Sequence, residues 1–327
     1  MLAEVKFGKN SSHQKLDSKL KSLQLKKSKM VNYKTWMKDI DDNVSLGKLA
    51  IPGTHNSAAC HTALPSVQCQ GESVTDQLEH GVRFLDIRVA KKFLSEGEAA
   101  KDLQVIHGKF PVKIPFPLMF LDVLDEVYDF LAKNKSETVF VSLKQEGQDT
   151  WDNDKDEFGN CIWDRYVNKN KDKWYLNNNI PRLGDARGKV ILFRRFGVRN
   201  EDRAREFGFN AQSWNYNTTE DDRGSFVVQD FCELESKDDV EKKIGYVKNL
   251  TKRAAEYNSS NSDPKLFINF CSGSNFFNTD CWPQKISEAM AEGGVDGVFS
   301  KGAGIVVMDY VEANDWKLVK DLVNKNF

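Results

Sequence analysis

From residue 48 to residue 310, short apolar runs of strand length alternate with stretches that keep a helical period. The runs fall at 48–52, 82–89, 103–107, 138–143, 189–195, 226–230, 266–270 and 305–310, eight in all. Between them, Leu121, Leu124, Val127, Tyr128 and Leu131 recur at about 3.6 residues, as do Val240, Ile244, Val247 and Leu250. Ser73, three residues before Asp76, has the spacing of a capping box that opens a helix toward His80. Strands that alternate with helices argue for a parallel sheet, and eight of them argue for closure into a barrel. The predicted fold class is therefore α/β, an irregular TIM (β/α)8-type barrel, irregular because residues 90–102 hold no convincing helix. A length of 327 residues suits one barrel as well as two smaller domains. No repeat and no Pro/Gly-rich linker divides residues 36–327, so one catalytic barrel is expected there, behind a basic extension over residues 1–35.

Charge narrows the partners. The chain has 47 basic and 48 acidic residues, a net charge of -1, which does not suit a nucleic-acid binder. The balance is uneven. Residues 1–30 hold eight lysines and two acids, leaving 39 basic and 46 acidic residues in the remainder. Leu16, Leu20 and Leu23 recur at helical spacing among those lysines, which suits either a helix on an anionic membrane or a solvated tail. No apolar run approaches the roughly 20 residues of a membrane span. Residues 1–10 show no secretory leader, so a cytoplasmic or peripheral-membrane location is expected, with secretion left open. Six cysteines form no CxxC pair; they read as buried free thiols, or as Cys60/Cys69 and Cys271/Cys281 disulfides in a secreted protein.

Catalytic groups of such a barrel stand where strands end at their C-terminal side. Two of the five histidines, His55 and His107, occupy such ends. His80 before Gly81, His61 in a loop and His13 in the extension do not. Asp86 and Arg88, two apart on one strand, share a face, and charges on that face cost several kcal/mol unless paired or used. Lys144, Arg194 and Asp309 end three further runs. Two imidazoles, cations and carboxylates at one mouth can cleave a phosphodiester: one imidazole takes a proton from the attacking hydroxyl and the other protonates the leaving oxygen.

Five segments in order, Pro52-Gly-Thr-His-Asn-Ser57, Arg83-Phe-Leu-Asp-Ile-Arg88, Val105-Ile-His-Gly108, Val141-Ser-Leu-Lys144 and Val307-Met-Asp-Tyr310, resemble bacterial-type phosphatidylinositol-specific phospholipase C, a PLC X-domain-like phosphodiesterase. The resemblance runs from Trp36 to Tyr310. It implies cleavage of phosphatidylinositol, or of a glycosyl-phosphatidylinositol-type lipid, by attack of the inositol 2-hydroxyl, giving diacylglycerol and inositol 1,2-cyclic phosphate. It implies His55 as general base, Asp309 as the carboxylate orienting it, His107 as general acid, Arg88 on the phosphate with Asp86 beside it, and Lys144, Arg194 and Asp230 on the inositol hydroxyls.

Two positions depart from the family. Asn56 stands where the bacterial enzymes carry an aspartate that assists the general acid, and an amide cannot stabilise an imidazolium by charge. The calcium-dependent eukaryotic enzymes use Asn there as a metal ligand, but with carboxylates where this chain has Arg88 and Lys144. Hard cations require oxygen donors, so metal-independent catalysis with no cofactor is expected. Cys232 replaces a ring-stacking tyrosine, a role open to Trp214 or Tyr216. Phe276 and Phe277, after the seventh run, either touch a membrane or fold back on the barrel. The chain is expected to act as a monomer. The competing readings are a metal-dependent glycerophosphodiester phosphodiesterase and a catalytically impaired phosphoinositide-binding barrel.

Overall fold

A twisted, mostly parallel sheet forms the centre of the computed structural model, which describes residues 31–61 and 64–327. The leucine stripe at 16–23 and His13 lie outside the described residues. Seven strands carry the sheet: β1 (Ala50–Thr54), β2 (Phe84–Ala90), β5 (Val139–Gln145), β7 (Val190–Arg195), β10 (Phe226–Gln229), β11 (Leu266–Phe270) and β12 (Gly304–Met308). Five more, none longer than β10, are β3 (Gln104–His107), β4 (Phe110–Pro111), β6 (Trp174–Tyr175), β8 (Phe209–Asn210) and β9 (Asp221–Asp222). The hydrogen-bonded order is β6-β7-β5-β2-β1-β12-β11-β10-β9, with β8 on the free part of β7. No ladder joins β8 to β10. Aromatic contact spans that seam instead, with the Phe209 and Phe226 rings 6.0 Å apart. This is an irregular TIM-barrel-like fold.

The third predicted barrel strand is corrected. β3 runs antiparallel to β2, pairing Val105 with Val89, and turns back as a hairpin with β4. His107 thus comes from a hairpin and not from the end of a parallel barrel strand.

Helices cover the outside. Among them are α1 (Val74–Glu79), α2 (Phe120–Lys133), α3 (Lys237–Ser260), α4 (Pro283–Ala289) and α5 (Ala313–Asn324). Ser73 caps α1 as its spacing predicts, its hydroxyl accepting from Asp76 N at 3.1 Å. The α2 stripe of Val123, Leu124, Val127, Tyr128 and Leu131 is buried, while Leu121 at its margin is exposed. Inside the barrel Phe84, Phe193 and Phe226 meet edge to face at 5.6 and 6.1 Å, a favourable aromatic geometry. They make an apolar floor below the polar strand ends. Beneath the barrel Arg83 is fully buried; Glu137 accepts from its Nε and Nη2, and three main-chain carbonyls accept from Nη1 and Nη2. All six cysteines are free thiols, four of them buried. Among the described residues no helix is long and apolar enough to cross a membrane.

Candidate active site

Register builds the site. β1 and β12 are parallel with Thr54 opposite Met308, so the next residues, His55 and Asp309, leave adjacent strands side by side. Asp309 Oδ1 accepts from His55 Nδ1 at 2.8 Å. Gln70 fixes both strand ends, its amide donating to His55 O at 2.8 Å and to Met308 O at 2.9 Å. The turn after His55 passes through Asn56 at φ 41°, a left-handed conformation that Asn tolerates better than most residues. Ser57 Oγ then accepts from Asp86 N at 2.8 Å, tying this turn to β2.

Asn56 Nδ2 lies 3.0 Å from His55 Nε2. An amide N–H only donates, so Nε2 is an acceptor and the ring proton sits on Nδ1, facing Asp309. This is the tautomer a general base at Nε2 requires. Burial and the Arg88 charge hold His55 well below the ordinary imidazole range. Burial pushes the Asp309 carboxyl up, against Lys243 and Arg88. Asn56 touches His55 and Cys69 Sγ (3.8 Å). His107 is held differently: its Nδ1 donates to Val67 O at 2.8 Å and lies 3.6 Å from Cys69 Sγ. A carbonyl only accepts, so His107 Nε2 is left for the cavity. Burial and Arg88 lower His107 too, although its bond to Val67 opposes them. The two imidazoles are 5.8 Å apart, edge to face.

The cations come from register as well. Arg88 pairs with Lys144 between β2 and β5, and Lys144 with Arg195 between β5 and β7. Three adjacent strands therefore place three cations in a row above the apolar floor. Asp86, fully buried beneath them, accepts from Arg88 Nη2 at 3.1 Å and from Arg195 Nη1 at 3.4 Å. Burial would raise Asp86, but Arg88 and Arg195 outweigh it and hold the carboxyl far below its usual range. Glu146 accepts from Arg88 Nη1 at 3.2 Å, Lys144 Nζ at 3.0 Å and Gly108 N at 2.5 Å. Burial works against its charge, and Arg88 and Lys144 keep the carboxyl ionised. Three cations face Asp86 and Glu146 on these strands, and the Asp230 charge acts on Arg88 and Arg195 as well.

These groups border a cavity of about 450 Å³ lined by His55, Arg88, His107, Lys144, Arg195, Trp214, Asp230, Cys232 and Ser272, among others. Most of the predicted residues converge here. Arg194 does not: it pairs with Leu143 on the outward face, is buried, and donates to Phe207 O (3.0 Å) and Phe196 O (2.5 Å). Its neighbour Arg195 occupies the cavity wall, stacked 3.7 Å from the Trp214 ring centroid. Asp230 accepts from Trp214 Nε1 at 3.0 Å. Phe276 and Phe277 are exposed, at 52% and 93%.

Sequence reasoning missed Arg195, Glu146, Gln70, Cys69 and Lys243. Glu146 stands two residues after Lys144, and that period of two was a usable signal. Lys243 interrupts the apolar stripe of α3 between Val240 and Val247. It is fully buried and donates to Phe231 O at 2.6 Å, anchoring the segment after Asp230. Nothing in the spacing marks Gln70 or Cys69.

Among the described residues, His55, Cys69 and Asp309 are grouped closely enough to hold a metal. A ring nitrogen, a thiol and one carboxylate do not suit a hard cation such as calcium or magnesium, and the same cavity holds the cations Arg88, Lys144 and Arg195.

Residues 49–196 match the family described as phosphatidylinositol-specific phospholipase C, X domain. Over most of its length the chain is similar to bacterial-type phosphatidylinositol-specific phospholipases C. The 1-phosphatidylinositol phosphodiesterase of Listeria monocytogenes is 28% identical over 316 residues, covering 90% of this chain and 86% of the relative. Its namesake from Staphylococcus aureus is 27% identical over 89% of this chain and 92% of its own length. The solved Listeria phospholipase C superposes with a TM-score of 0.69 at 25% identity, over 91% of this chain and 100% of its own. A Staphylococcus aureus phospholipase C structure concerned with modulation of membrane binding gives the same TM-score at 24% identity, over 90% and 98%, a likeness of fold.

Proposed function

We propose that this protein is a phosphatidylinositol-specific phospholipase C working by two-histidine acid–base catalysis without a metal. The observation that carries this reading is the pair of imidazoles 5.8 Å apart in one cavity with the cations Arg88, Lys144 and Arg195. His55 Nε2 takes the proton of the inositol 2-hydroxyl, after that hydroxyl displaces the Asn56 amide. The 2-oxygen bonds to phosphorus, the bond from phosphorus to the glycerol oxygen breaks, and His107 Nε2–H supplies that oxygen with its proton. The products are diacylglycerol and inositol 1,2-cyclic phosphate. Arg88 stabilises charge on the non-bridging oxygens, the electrostatic contribution that weighs most in such transfers. Lys144, Arg195 and Asp230 bind ring hydroxyls.

A metal-dependent glycerophosphodiesterase would need oxygen ligands where Arg88 and Lys144 stand. Phe276 and Phe277 suit contact with a bilayer interface, as a peripheral enzyme acting on lipid requires. Turnover of phosphatidylinositol in EDTA by the wild type, reduced about 10²- to 10⁴-fold in His55→Ala and in His107→Ala, supports the reading. Both variants keeping the wild-type rate, or activity that only calcium restores, refutes it.

A further inference from the structure

The β3–β4 hairpin carries His107 at its turn and then loops outward over residues 112–117, before Leu118 O accepts from Val105 N at 2.8 Å. That loop is unusual in what it exposes. Ile114 is 64% and Phe116 77% exposed, with Phe110 at 43% on β4. Between His107 and Phe120 the only charged side chains are Lys109 and Lys113, both exposed, and there is no carboxylate. Large apolar side chains kept in water beside unpaired cations mark a contact surface.

We infer that this hairpin is a second bilayer contact, separate from Phe276 and Phe277, and that its partner is an anionic lipid surface. Charge gives the first argument: in a chain of net charge -1 the segment is purely cationic, and lysines flanking exposed aromatics match anionic headgroups. Chemistry gives the second, and it rests on the function proposed above. The leaving group protonated by His107 is diacylglycerol, whose acyl chains stay in the bilayer. The acid must therefore face the lipid side, and it belongs to the hairpin that bears the apolar loop. His107 and the Ser272–Ser274 segment before Phe276 both border the cavity, so lipid contacts from both would hold the mouth against the headgroup.

The test is co-sedimentation of the full chain with vesicles of phosphatidylinositol and phosphatidylcholine, alongside hydrolysis of soluble inositol 1,2-cyclic phosphate. For Ile114→Ser/Phe116→Ser we expect vesicle affinity to fall roughly 10- to 100-fold, with soluble turnover within about twofold of wild type. For Lys109→Gln/Lys113→Gln we expect weaker binding to anionic vesicles at low salt and no change on pure phosphatidylcholine. Unchanged vesicle affinity in the serine variant overturns the inference, as does an equal loss on vesicles and on the soluble ester. Hairpin-dependent vesicle binding by a chain that never cleaves phosphatidylinositol would sink the proposed activity and support this contact.

Discussion

Arg194 and Arg195 are neighbours with opposite surroundings, and replacing each with methionine separates their roles. Arg194 faces outward, and its loss strands the carbonyls of Phe196 and Phe207 in a buried site. An unsatisfied buried acceptor costs about 1 to 3 kcal/mol, so Arg194→Met should lose roughly 2 to 6 kcal/mol of folding stability. That is a large part of the 5 to 15 kcal/mol typical of a domain. Arg195 stands on the cavity wall, and a charged hydrogen bond to substrate is worth about 1.5 to 3 kcal/mol. Arg195→Met should therefore lower kcat/KM roughly 10- to 150-fold, while Asp86 keeps Arg88 as its partner. Urea unfolding followed by tryptophan fluorescence measures the first effect; initial rates on phosphatidylinositol in detergent micelles measure the second. Arg194→Met that folds as stably as wild type yet loses turnover, with Arg195→Met fully active, would refute the assignment.

Two further outcomes follow from burial. The base must be neutral, so kcat/KM should rise with pH as His55 loses its proton; the acid must be protonated, so kcat/KM should fall as His107 loses its own. Both groups are lowered from the ordinary value of 6.5, first by burial and then by Arg88, so the optimum of kcat/KM should lie below about pH 6.5, and an optimum above pH 8 would contradict these environments. Glu137→Gln should cost about 3 to 5 kcal/mol in a urea melt by leaving the Arg83 guanidinium buried without its counter-charge, and a loss under 1 kcal/mol would show that the main-chain carbonyls suffice.

Much of the site was legible because parallel strands bring their C-terminal ends together. His55 and Asp309 could be paired once the first and last strands were recognised, and Asp86 with Arg88 followed from the period of two. Arg194 shows where this fails. The run from Val190 to Phe193 is apolar on both faces, buried by floor and helices alike, so alternation could not tell which of two successive arginines faces inward; pairing with Lys144 decides it. The β3 segment misled for a related reason, since an apolar run does not reveal its direction. Gln70 and Cys69 act through contacts between segments that no local pattern encodes, and the Asn56 amide rests on the base rather than on the acid.

The central claim is that the inositol 2-hydroxyl, not water, attacks phosphorus between His55 and His107. Phosphorus NMR of the first products formed from phosphatidylinositol tests it most directly. The account predicts that inositol 1,2-cyclic phosphate accumulates first and opens to inositol 1-phosphate later. Inositol 1-phosphate formed from the outset, with one oxygen from labelled water and no cyclic ester, would contradict it.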